Sequence, residues 1–351
     1  MHDVRIADRL IGVDEPPFII AELSGNHSQN FELACEMVDA AAQAGAHAIK
    51  LQTYTADSMT LDVQSDDFVI GEKDSLWHGA SLHALYQKAA TPYNWHAPLF
   101  ERAAKHGMLA FSSPFDTEAV DFLASLNVPC YKIASFELTD LPLVAHTAKQ
   151  GKPLIMSTGM ATLSEIEMAV ECARTHGCDD IILLKCTSTY PADPGNSNLV
   201  TIPHMRSAFG CHVGLSDHTG GIGVAVASVA LGAPVIEKHF VLDRRAGGVD
   251  AEFSLEPAEL SQLVTETERA WQGLGHVRYG GTQAEEKAKQ YRRSIYVSAD
   301  MKAGDVFTEA NLRIVRPAFG LAPRHWQNVL GKKATKDLSK GTPLSWDNLT
   351  A

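Results

Sequence analysis

Two histidines follow two short apolar runs in the chain, and their placement constrains the fold more than any other feature. An apolar run at 213–215 leads into a Ser-Asp-His sequence that ends at His218, and a second run at 235–236 leads into Glu-Lys-His, which ends at His239. A small-residue amphipathic segment lies between them, which is the pattern of a parallel strand-helix-strand unit. Parallel strands end at the same edge of a sheet, so we expect the two histidines to lie side by side.

This unit admits two interpretations. His218 and His239, with carboxylates at Asp217 and Glu237 beside them, could form an open site for a divalent cation. Each histidine could instead be a hydrogen-bonded polar residue at a strand end. The unit alone does not decide between them, and the remaining strand ends have to be considered.

Six further apolar runs precede this unit, and helical patterns separate most of them. The runs lie at 18–21, 48–52, 108–111, 130–134, 153–156 and 181–185. Eight strands, each followed by a helix or by a loop and a helix, over roughly 260 residues predict an α/β fold of the (β/α)8 TIM-barrel type. The alternative is an open doubly wound sheet, but no GxGxxG sequence follows the first strand, as a dinucleotide-binding fold would need.

Two other segments of this region carry predictions. The polar stretch 53–80 is too long for an ordinary connection and is interpreted as a lid or an excursion that faces the substrate. The first dozen residues are expected to form a strand or hairpin that closes the floor of the barrel.

Polar side chains end nearly every predicted strand. In a barrel they all converge on one mouth, where the active sites of this fold lie. Hydroxyls and lysines suit an oxyanion such as phosphate, because they supply donors and positive charge. The presence of these polar groups at the same mouth favours the interpretation that the two histidines bind a cation. The set comprises Glu22, Lys50, Gln52, Ser112, Ser113, Lys132, Ser135, Ser157, Thr158, Thr187, Ser188, Tyr190, Ser216, His218, Glu237 and His239.

Charge and cysteine content limit the partners and the compartment. The net charge of −12 makes nucleic acid an improbable partner. The six cysteines are scattered without a CxxC pair, which argues against a zinc knuckle or a disulfide framework and favours the cytoplasm. No apolar run reaches the roughly 18 residues of a membrane span, and the N-terminus does not have the pattern of a signal peptide.

The composition changes after the last helical pattern of the barrel. We expect the barrel domain to cover residues 1–275 and a glycine-rich, charged linker to cover 276–291. Residues 292–351 contain short β patterns at 294–297 and 312–315, which predict a separate small domain.

Several motifs in one register resemble the sialic acid synthase family over almost the whole chain. They are AELSGNH, KLQTYT, FSSPFD, YKIAS, STGM, KCTSTYP, GLSDH and EKHF, followed by RSIY and VRPAFGLAP in the small domain. The resemblance implies a TIM barrel followed by a C-terminal antifreeze-like domain (SAF, β-clip). It also implies a homodimer in which the small domain of one chain covers the barrel mouth of the other.

Within that family the motifs resemble those of the pseudaminic acid synthases most. Ser188 stands in CTSTYP where sialic acid synthases usually have asparagine, and residues 316–321 read RPAFGL. The implied reaction condenses phosphoenolpyruvate with 2,4-diacetamido-2,4,6-trideoxy-L-altrose in its open aldehyde form, giving a nine-carbon 2-keto acid and phosphate. Two alternatives stay open, namely a synthase for a manno-configured sugar and a non-catalytic carbohydrate-binding protein. Enzymes that make seven- or eight-carbon keto acids lack the small domain, so residues 292–351 argue against them.

The resemblance also implies roles for individual residues. Glu22 is expected to orient or deprotonate water, and His218 and His239 to hold Mn²⁺ or Mg²⁺. Phosphoenolpyruvate is expected to bind to Ser113, Lys132, Ser135, Ser157, Ser188 and Ser216. The sugar is expected to contact Lys50, Gln52, Thr53, Tyr190, Asp250 and, from the partner chain, Arg316.

Overall fold

The computed structural model describes residues 2–71 and 77–350. Within them, eight parallel strands close into a barrel in the order β10-β3-β4-β5-β6-β7-β8-β9, so the (β/α)8 prediction is confirmed. Their residues are almost all buried, because a barrel strand packs on a filled interior on one face and on helices on the other. The strands are β3 (Phe18–Glu22), β4 (Ala48–Thr53), β5 (Leu109–Pro114), β6 (Tyr131–Ile133), β7 (Leu154–Ser157), β8 (Ile181–Cys186), β9 (His212–Asp217) and β10 (Val235–His239).

Helices surround the strands and begin at polar caps where the sequence supplies them. Asp116 and Asp140 cap α5 and α6, and Thr162 forms a capping box with Glu165 at the start of α7. The helices of this region are α1 (Phe31–Gln43), α2 (Ala56–Met59), α3 (Leu82–Ala89), α4 (Tyr93–Lys105), α5 (Thr117–Ser125), α6 (Leu141–Ala148), α7 (Leu163–Thr175), α8 (Thr201–Phe209), α9 (Gly223–Ala230) and α10 (Pro257–Leu274). Short 3-10 helices lie at Ser24–His27, Asp66–Phe68, Pro194–Asn196, Arg244–Ala246 and Ala251–Phe253.

The N-terminal segment forms the predicted hairpin. Strands β1 (Val4–Ile6) and β2 (Arg9–Ile11) pair in antiparallel register. Apolar side chains from both strands join the same core cluster as Phe18 at the start of β3. The Arg9 guanidinium donates to the Pro17 carbonyl just ahead of β3 at 3.1 Å. The hairpin therefore lies at the amino ends of the barrel strands, away from their polar carboxyl ends.

The predicted excursion at 53–80 contains α2 and the 3-10 helix Asp66–Phe68, and Val69 bridges to Ser81 just beyond it. Residues 72–76 of this stretch lie outside the described residues. Trp77 stands against the barrel mouth, where its indole nitrogen donates to the Val249 carbonyl at 3.3 Å. The excursion thus reaches the loop that follows β10.

The chain divides into two compact units, residues 1–275 and 276–351. In the second unit, β11 (Ser294–Val297) pairs antiparallel with β12 (Leu312–Val315), and a small core forms around Ile295, Phe307 and Val329. It also contains α11 (Trp326–Val329) and 3-10 helices at Glu286–Tyr291, Pro323–His325 and Trp346–Asn348. Among the described residues, every helix is too short or too polar to cross a membrane.

Candidate active site

A cavity of about 680 Å³ opens at the carboxyl ends of the barrel strands. All eight barrel strands, or the loops directly after them, contribute lining residues. This convergence follows from the parallel sheet, because every strand presents its carboxyl end at the same mouth. The predicted residues in the wall are Lys50, Gln52, Lys132, Ser135, Ser157, Ser188, Tyr190, Ser216, His218, Glu237, His239 and Asp250.

A buried cluster of two lysines and two glutamates forms the floor of this cavity. Lys50 on β4 pairs with Glu22 on β3, and its ammonium lies 3.8 Å from Glu237 Oε1 on β10. Lys132 on β6 donates to the same Glu237 oxygen at 3.2 Å, as does the Ser216 hydroxyl on β9. Four strands are thus joined through Glu237. Such charges stay buried only because they are paired.

The environment moves the pKa values of this cluster in different directions. Burial raises the pKa of Glu22 to about 7, against the attraction of Lys50. Burial acts in the same way on Glu237, but Lys132 and Lys50 outweigh it, and the pKa of Glu237 lies below its usual value. Burial also lowers the pKa of Lys132, although Glu237 opposes it. The pKa values of the two carboxyl groups are therefore shifted in opposite directions. Glu22 can accept a proton near neutral pH, whereas Glu237 stays ionised.

Serine hydroxyls and a glycine shape the side of the cavity next to Lys132. Ser135 accepts a hydrogen bond from the Gly159 backbone N–H at 3.1 Å. A Cβ atom at position 159 would stand 2.1 Å from the Ser188 hydroxyl and 2.8 Å from that of Ser135, so a side chain there would displace both hydroxyls. The Ser157 hydroxyl is buried and has no hydrogen-bond partner among the described residues. Free donors beside a lysine suit an oxyanion.

The two histidines lie together, as their strand positions predict. Their ring centroids are 5.2 Å apart, and both rings line the cavity. The His218 Nδ1 atom lies 3.0 Å from the Thr187 carbonyl, which can only accept, so Nδ1 carries a proton. Burial opposes the charged form of this ring, but its contacts with Cys186 and with the Thr187 carbonyl outweigh burial and raise the pKa of His218. Burial lowers the pKa of His239 well below its usual value, and its buried Nδ1 atom has no hydrogen-bond partner in the described part of the chain.

This pair fits a divalent cation with open coordination positions. Two imidazoles side by side, one held by a backbone carbonyl and one with a lowered pKa, are nitrogen donors of the kind that Mn²⁺ accepts, and His218 would bind in its neutral form. Asp250 Oδ2 lies 3.8 Å from His239 Nδ1. Among the described residues, no group of three or more histidine, cysteine, aspartate or glutamate side chains is arranged around a metal position. The protein would therefore supply two ligands and leave the others to water and substrate.

Polar residues on the opposite side of the cavity are joined in a second network. The Ser24 hydroxyl donates to Asp250, and Gln52 Nε2 donates to Glu22 Oε1 at 3.2 Å. The Tyr190 ring packs against His218, with 4.6 Å between centroids. This side therefore offers amide, carboxylate and aromatic groups next to the histidines.

Several predicted residues lie elsewhere. Thr53 is on the opposite face of β4 from Gln52, and its hydroxyl bonds to Ser112 at 2.6 Å and to His96 on α4 at 2.7 Å. The structure therefore does not bring Thr53 into the cavity, because side chains alternate along a strand. Asp217 is likewise turned away from the cavity and pairs with Lys238.

Glu22 and Ser113 lie just beneath the cavity wall. Both contact Lys50, and Ser113 accepts a hydrogen bond from its ammonium at 3.2 Å. Arg316 belongs to the second unit, where it follows β12 and is exposed.

The structure adds residues that the sequence did not single out. Ser24, inside the AELSGNH motif, joins the second network through its hydrogen bond to Asp250. Glu137 lines the cavity with one carboxylate oxygen that has no hydrogen-bond partner within residues 2–71 and 77–350, and burial raises its pKa to about 7. An apolar wall built from the excursion and α3, including Ile70 and Leu85, completes the mouth. Glu137 lies only two residues beyond Ser135, so its nearness to a strand end was the available signal.

Comparison with known families decides what this barrel is. The model of the NeuB family matches residues 37–279, and that of the SAF domain matches residues 292–350. The chain belongs to the NeuB family. The antifreeze-like module predicted after the barrel is present as the SAF domain.

Individual NeuB-family relatives match over nearly their whole length. The chain is 45% identical over 331 residues to the pseudaminic acid synthase of Campylobacter jejuni, covering 94% of this chain and 96% of that protein. Identity to the pseudaminic acid synthase of Helicobacter pylori is 41%, covering 95% and 98%. Among solved structures, the N-acetylneuraminic acid synthetase of Leptospira borgpetersenii, in complex with citrate, is 35% identical with a TM-score of 0.72, covering 82% of this chain and 96% of that one.

Proposed function

We propose that this protein is a pseudaminic acid synthase that condenses phosphoenolpyruvate with 2,4-diacetamido-2,4,6-trideoxy-L-altrose and water, giving pseudaminic acid and phosphate. The observation that carries the proposal is the cavity in which two lysines, several hydroxyls and two histidines meet, in a chain 45% identical to a pseudaminic acid synthase. Carbon 3 of phosphoenolpyruvate attacks the aldehyde carbon of the open sugar. Water then adds to carbon 2, and phosphate leaves with cleavage of its C–O bond.

Phosphoenolpyruvate binds on the Lys132 side of the cavity in this proposal. The hydroxyls of Ser135, Ser157, Ser188 and Ser216 face its phosphate and carboxylate, with Ser113 behind them. The unpartnered Ser157 hydroxyl and the close approach of the Gly159 backbone support this placement. Lys132 supplies the charge that a multiply charged anion needs in a protein whose net charge is −12.

The sugar occupies the side lined by Lys50, Gln52, Tyr190 and Asp250. These groups offer both donors and acceptors for its hydroxyl and acetamido groups. The apolar wall around Ile70 and Leu85 suits the methyl groups of a trideoxy, diacetylated sugar better than it suits a fully hydroxylated one.

Glu22 is assigned to the water step. Its pKa near 7 suits a group that takes a proton at neutral pH. Its ion pair with Lys50, which lines the cavity, supports this assignment. Lys50 holds its charge beside Glu22 and Glu237, which lets it return a proton or stabilise the oxygen that forms on the sugar.

A Mn²⁺ or Mg²⁺ ion held by His218 and His239 would supply a Lewis acid for the aldehyde oxygen. The Thr187 carbonyl orients the His218 ring, and the His239 ring packs against Phe253 with 4.9 Å between ring centroids.

The proposal extends to assembly and location. We place the protein in the cytoplasm as a homodimer in which the SAF domain of each chain covers the barrel mouth of its partner, so that Arg316 reaches an acetamido carbonyl of the sugar. The exposed Arg316 and six free cysteines support these points.

Phosphate release from phosphoenolpyruvate in the presence of Mn²⁺ tests the function. The altrose substrate is compared with N-acetylmannosamine and with the diacetamido-trideoxy-mannose that leads to legionaminic acid. Strong preference for the altrose is expected. Preference for a manno sugar would instead favour an N-acetylneuraminate or legionaminic acid synthase, whereas no phosphate release with any sugar would favour a carbohydrate-binding protein.

A further inference from the structure

Ser24 adopts a backbone conformation that serine avoids. Its φ angle is +47°, in the left-handed region that favours glycine, and the residue is only 2% exposed. It is the first residue of the 3-10 helix Ser24–His27, which closely follows β3, and it lines the cavity. An unfavourable conformation at a buried cavity residue persists only where the surroundings hold it, and such positions cluster at functional sites.

The polar atoms of Ser24 connect three residues of the cavity. Its backbone N–H donates to Glu22 Oε1 at 3.1 Å, and its hydroxyl donates to Asp250. Gln52 Nε2 donates to the Ser24 hydroxyl at 3.4 Å and to Glu22 Oε1 at 3.2 Å. A glycine at this position would adopt the same φ more readily but would lose the hydroxyl contacts to Asp250 and Gln52. Serine at this position is therefore less favourable than glycine for the backbone, but it supplies the hydroxyl that contacts Asp250 and Gln52.

These contacts have a fixed direction. The Asp250 carboxylate can only accept, so the Ser24 hydroxyl donates its proton to the hydrogen bond with Asp250. Its oxygen then accepts a hydrogen bond from Gln52. Gln52 must then turn its NH₂ group toward Ser24 and Glu22, which leaves its carbonyl oxygen as the group available to a ligand. Both Asp250 and Gln52 are thereby set as acceptors on the sugar side of the cavity.

We propose that Ser24 is a positioning residue for the sugar, and that its hydroxyl orients Asp250 and Gln52 as acceptors for the N–H and O–H donors of the acetamido sugar. The inference rests on the proposed function, because it requires that this side of the cavity receives the sugar. Ser24 acts through its two neighbours. Lys132, on the phosphoenolpyruvate side, connects to this network indirectly, through Glu237, Lys50 and Glu22.

Ser24→Gly and Ser24→Ala test the proposal, with Ser28→Gly as a matched control. Ser28 has a φ angle of +49°, lies four residues away and is exposed, so its replacement repeats the backbone change without touching the network. Steady-state kinetics are measured for both substrates, with the melting temperature of each variant. Ser24→Gly is expected to raise the KM for the sugar roughly 10- to 100-fold, as loss of a hydrogen bond to a charged group does.

The remaining readouts separate positioning from a purely structural role. In Ser24→Gly the KM for phosphoenolpyruvate is expected to change less than about threefold, and the melting temperature to stay near that of the wild type, because glycine adopts the left-handed conformation without strain. Ser24→Ala should show the same kinetics at lower thermal stability, and Ser28→Gly should match the wild type. An unchanged sugar KM in Ser24→Gly, or equal rises in both KM values, would overturn the proposal.

The experiment also separates this inference from the sugar assignment. The kinetics are run with whichever aldose the wild type turns over, so a preference for a manno sugar corrects the proposed function and leaves the Ser24 test intact. Failure of the wild type with every aldose would overturn the proposed function and this inference together.

Discussion

Lys238 on β10 donates a hydrogen bond of 2.9 Å to Asp217 on β9, and both residues are almost fully buried. The two are direct partners in the strand register, and each immediately precedes one of the paired histidines. The Lys238 ammonium also donates to the Thr219 carbonyl at 2.7 Å, while Asp217 accepts from the Thr219 N–H. The ion pair therefore fixes the register of the strand ends that carry His218 and His239.

Lys238→Ala is expected to destabilise the protein by about 3–5 kcal/mol, because it leaves Asp217 as an unpaired buried charge. Chemical denaturation measures this loss. Lys238→Met combined with Asp217→Leu removes both charges and should cost less than the single replacement. If the double variant is as unstable as Lys238→Ala, the cost does not come from the orphaned carboxylate.

Removal of the histidines should abolish metal-dependent turnover without unfolding the barrel. His218→Ala and His239→Ala are expected to lose Mn²⁺ binding, measured by calorimetry, and phosphate release, measured with both substrates. The exposed His204 on α8 provides a control, and His204→Ala should bind Mn²⁺ as the wild type does. Full activity in both cavity variants would refute the metal role.

Gly159→Ala should damage phosphoenolpyruvate binding selectively. The added Cβ atom would meet the Ser188 and Ser135 hydroxyls at 2.1 and 2.8 Å, so these side chains must move from the proposed anion position. We expect the KM for phosphoenolpyruvate to rise by about tenfold or more, since displaced donors are lost to the anion. Gly273→Ala in α10, where a Cβ meets nothing within 4 Å, serves as the control. A KM that rises only for the sugar would place the anion elsewhere.

Arg316→Ala is predicted to raise the KM for the sugar more than that for phosphoenolpyruvate. The neighbouring exposed Arg313 on β12 gives a matched control, because Arg313→Ala removes the same charge from the same strand region. Mixing Arg316→Ala with His239→Ala chains tests the exchange between partners. One active site of a mixed dimer would then have both an intact barrel and an intact arginine, so recovery of activity is expected, and none would argue against the cross-chain contact.

Acid should destabilise the protein through buried neutral histidines. Burial lowers the pKa of His96 from 6.5 to about 4, and its ring nitrogen bonds to Thr53. Between these two pH values the unfolded chain binds the proton and the folded protein does not, so stability falls as the pH falls from about 6.5 toward 4. At pH 5 this one group would account for about 2 kcal/mol.

His96→Gln keeps a neutral polar group beside Thr53 and is expected to reduce the loss of stability between pH 7 and pH 5, measured by urea denaturation. His204→Gln on the surface should leave the pH dependence as it is in the wild type. An identical pH dependence in His96→Gln and the wild type would exclude His96 as a source of acid sensitivity.

Much of the barrel is predictable because its physical requirements are local. A strand buried on both faces appears in the sequence as an apolar run. The residue at its carboxyl end is polar where it faces the mouth of the barrel. Lys132, His218 and His239 were found in this way. Thr53 and Asp217 show the limit of the rule, because a residue near a strand end can face either the cavity or the helix layer. Side chains alternate along a strand, so Gln52 and Thr53 must face opposite sides, and only one of them can face the cavity.

The network around Ser24 could not be predicted from the sequence. A left-handed φ angle cannot be predicted from the sequence when the residue is a serine and not a glycine. The hydrogen-bond partners of Ser24, Gln52 and Asp250, are also distant from it in the chain. The apolar wall was missed for a different reason. Its residues, such as Ile70 and Leu85, come from an irregular segment and a short helix, where periodicity does not reveal which side is buried.

Strand β10 places Glu237 and His239 in the cavity and Lys238 on the opposite face. Because neighbouring residues on a strand face opposite sides, inserting or deleting one residue between Val235 and Glu237 would exchange the two sets and aim the lysine at the substrates. This short stretch can therefore diverge in evolution by substitution but not by a change in length. Enzyme engineers who wish to graft new loops onto this barrel should accordingly begin beyond His239 and leave the strand's residue count untouched.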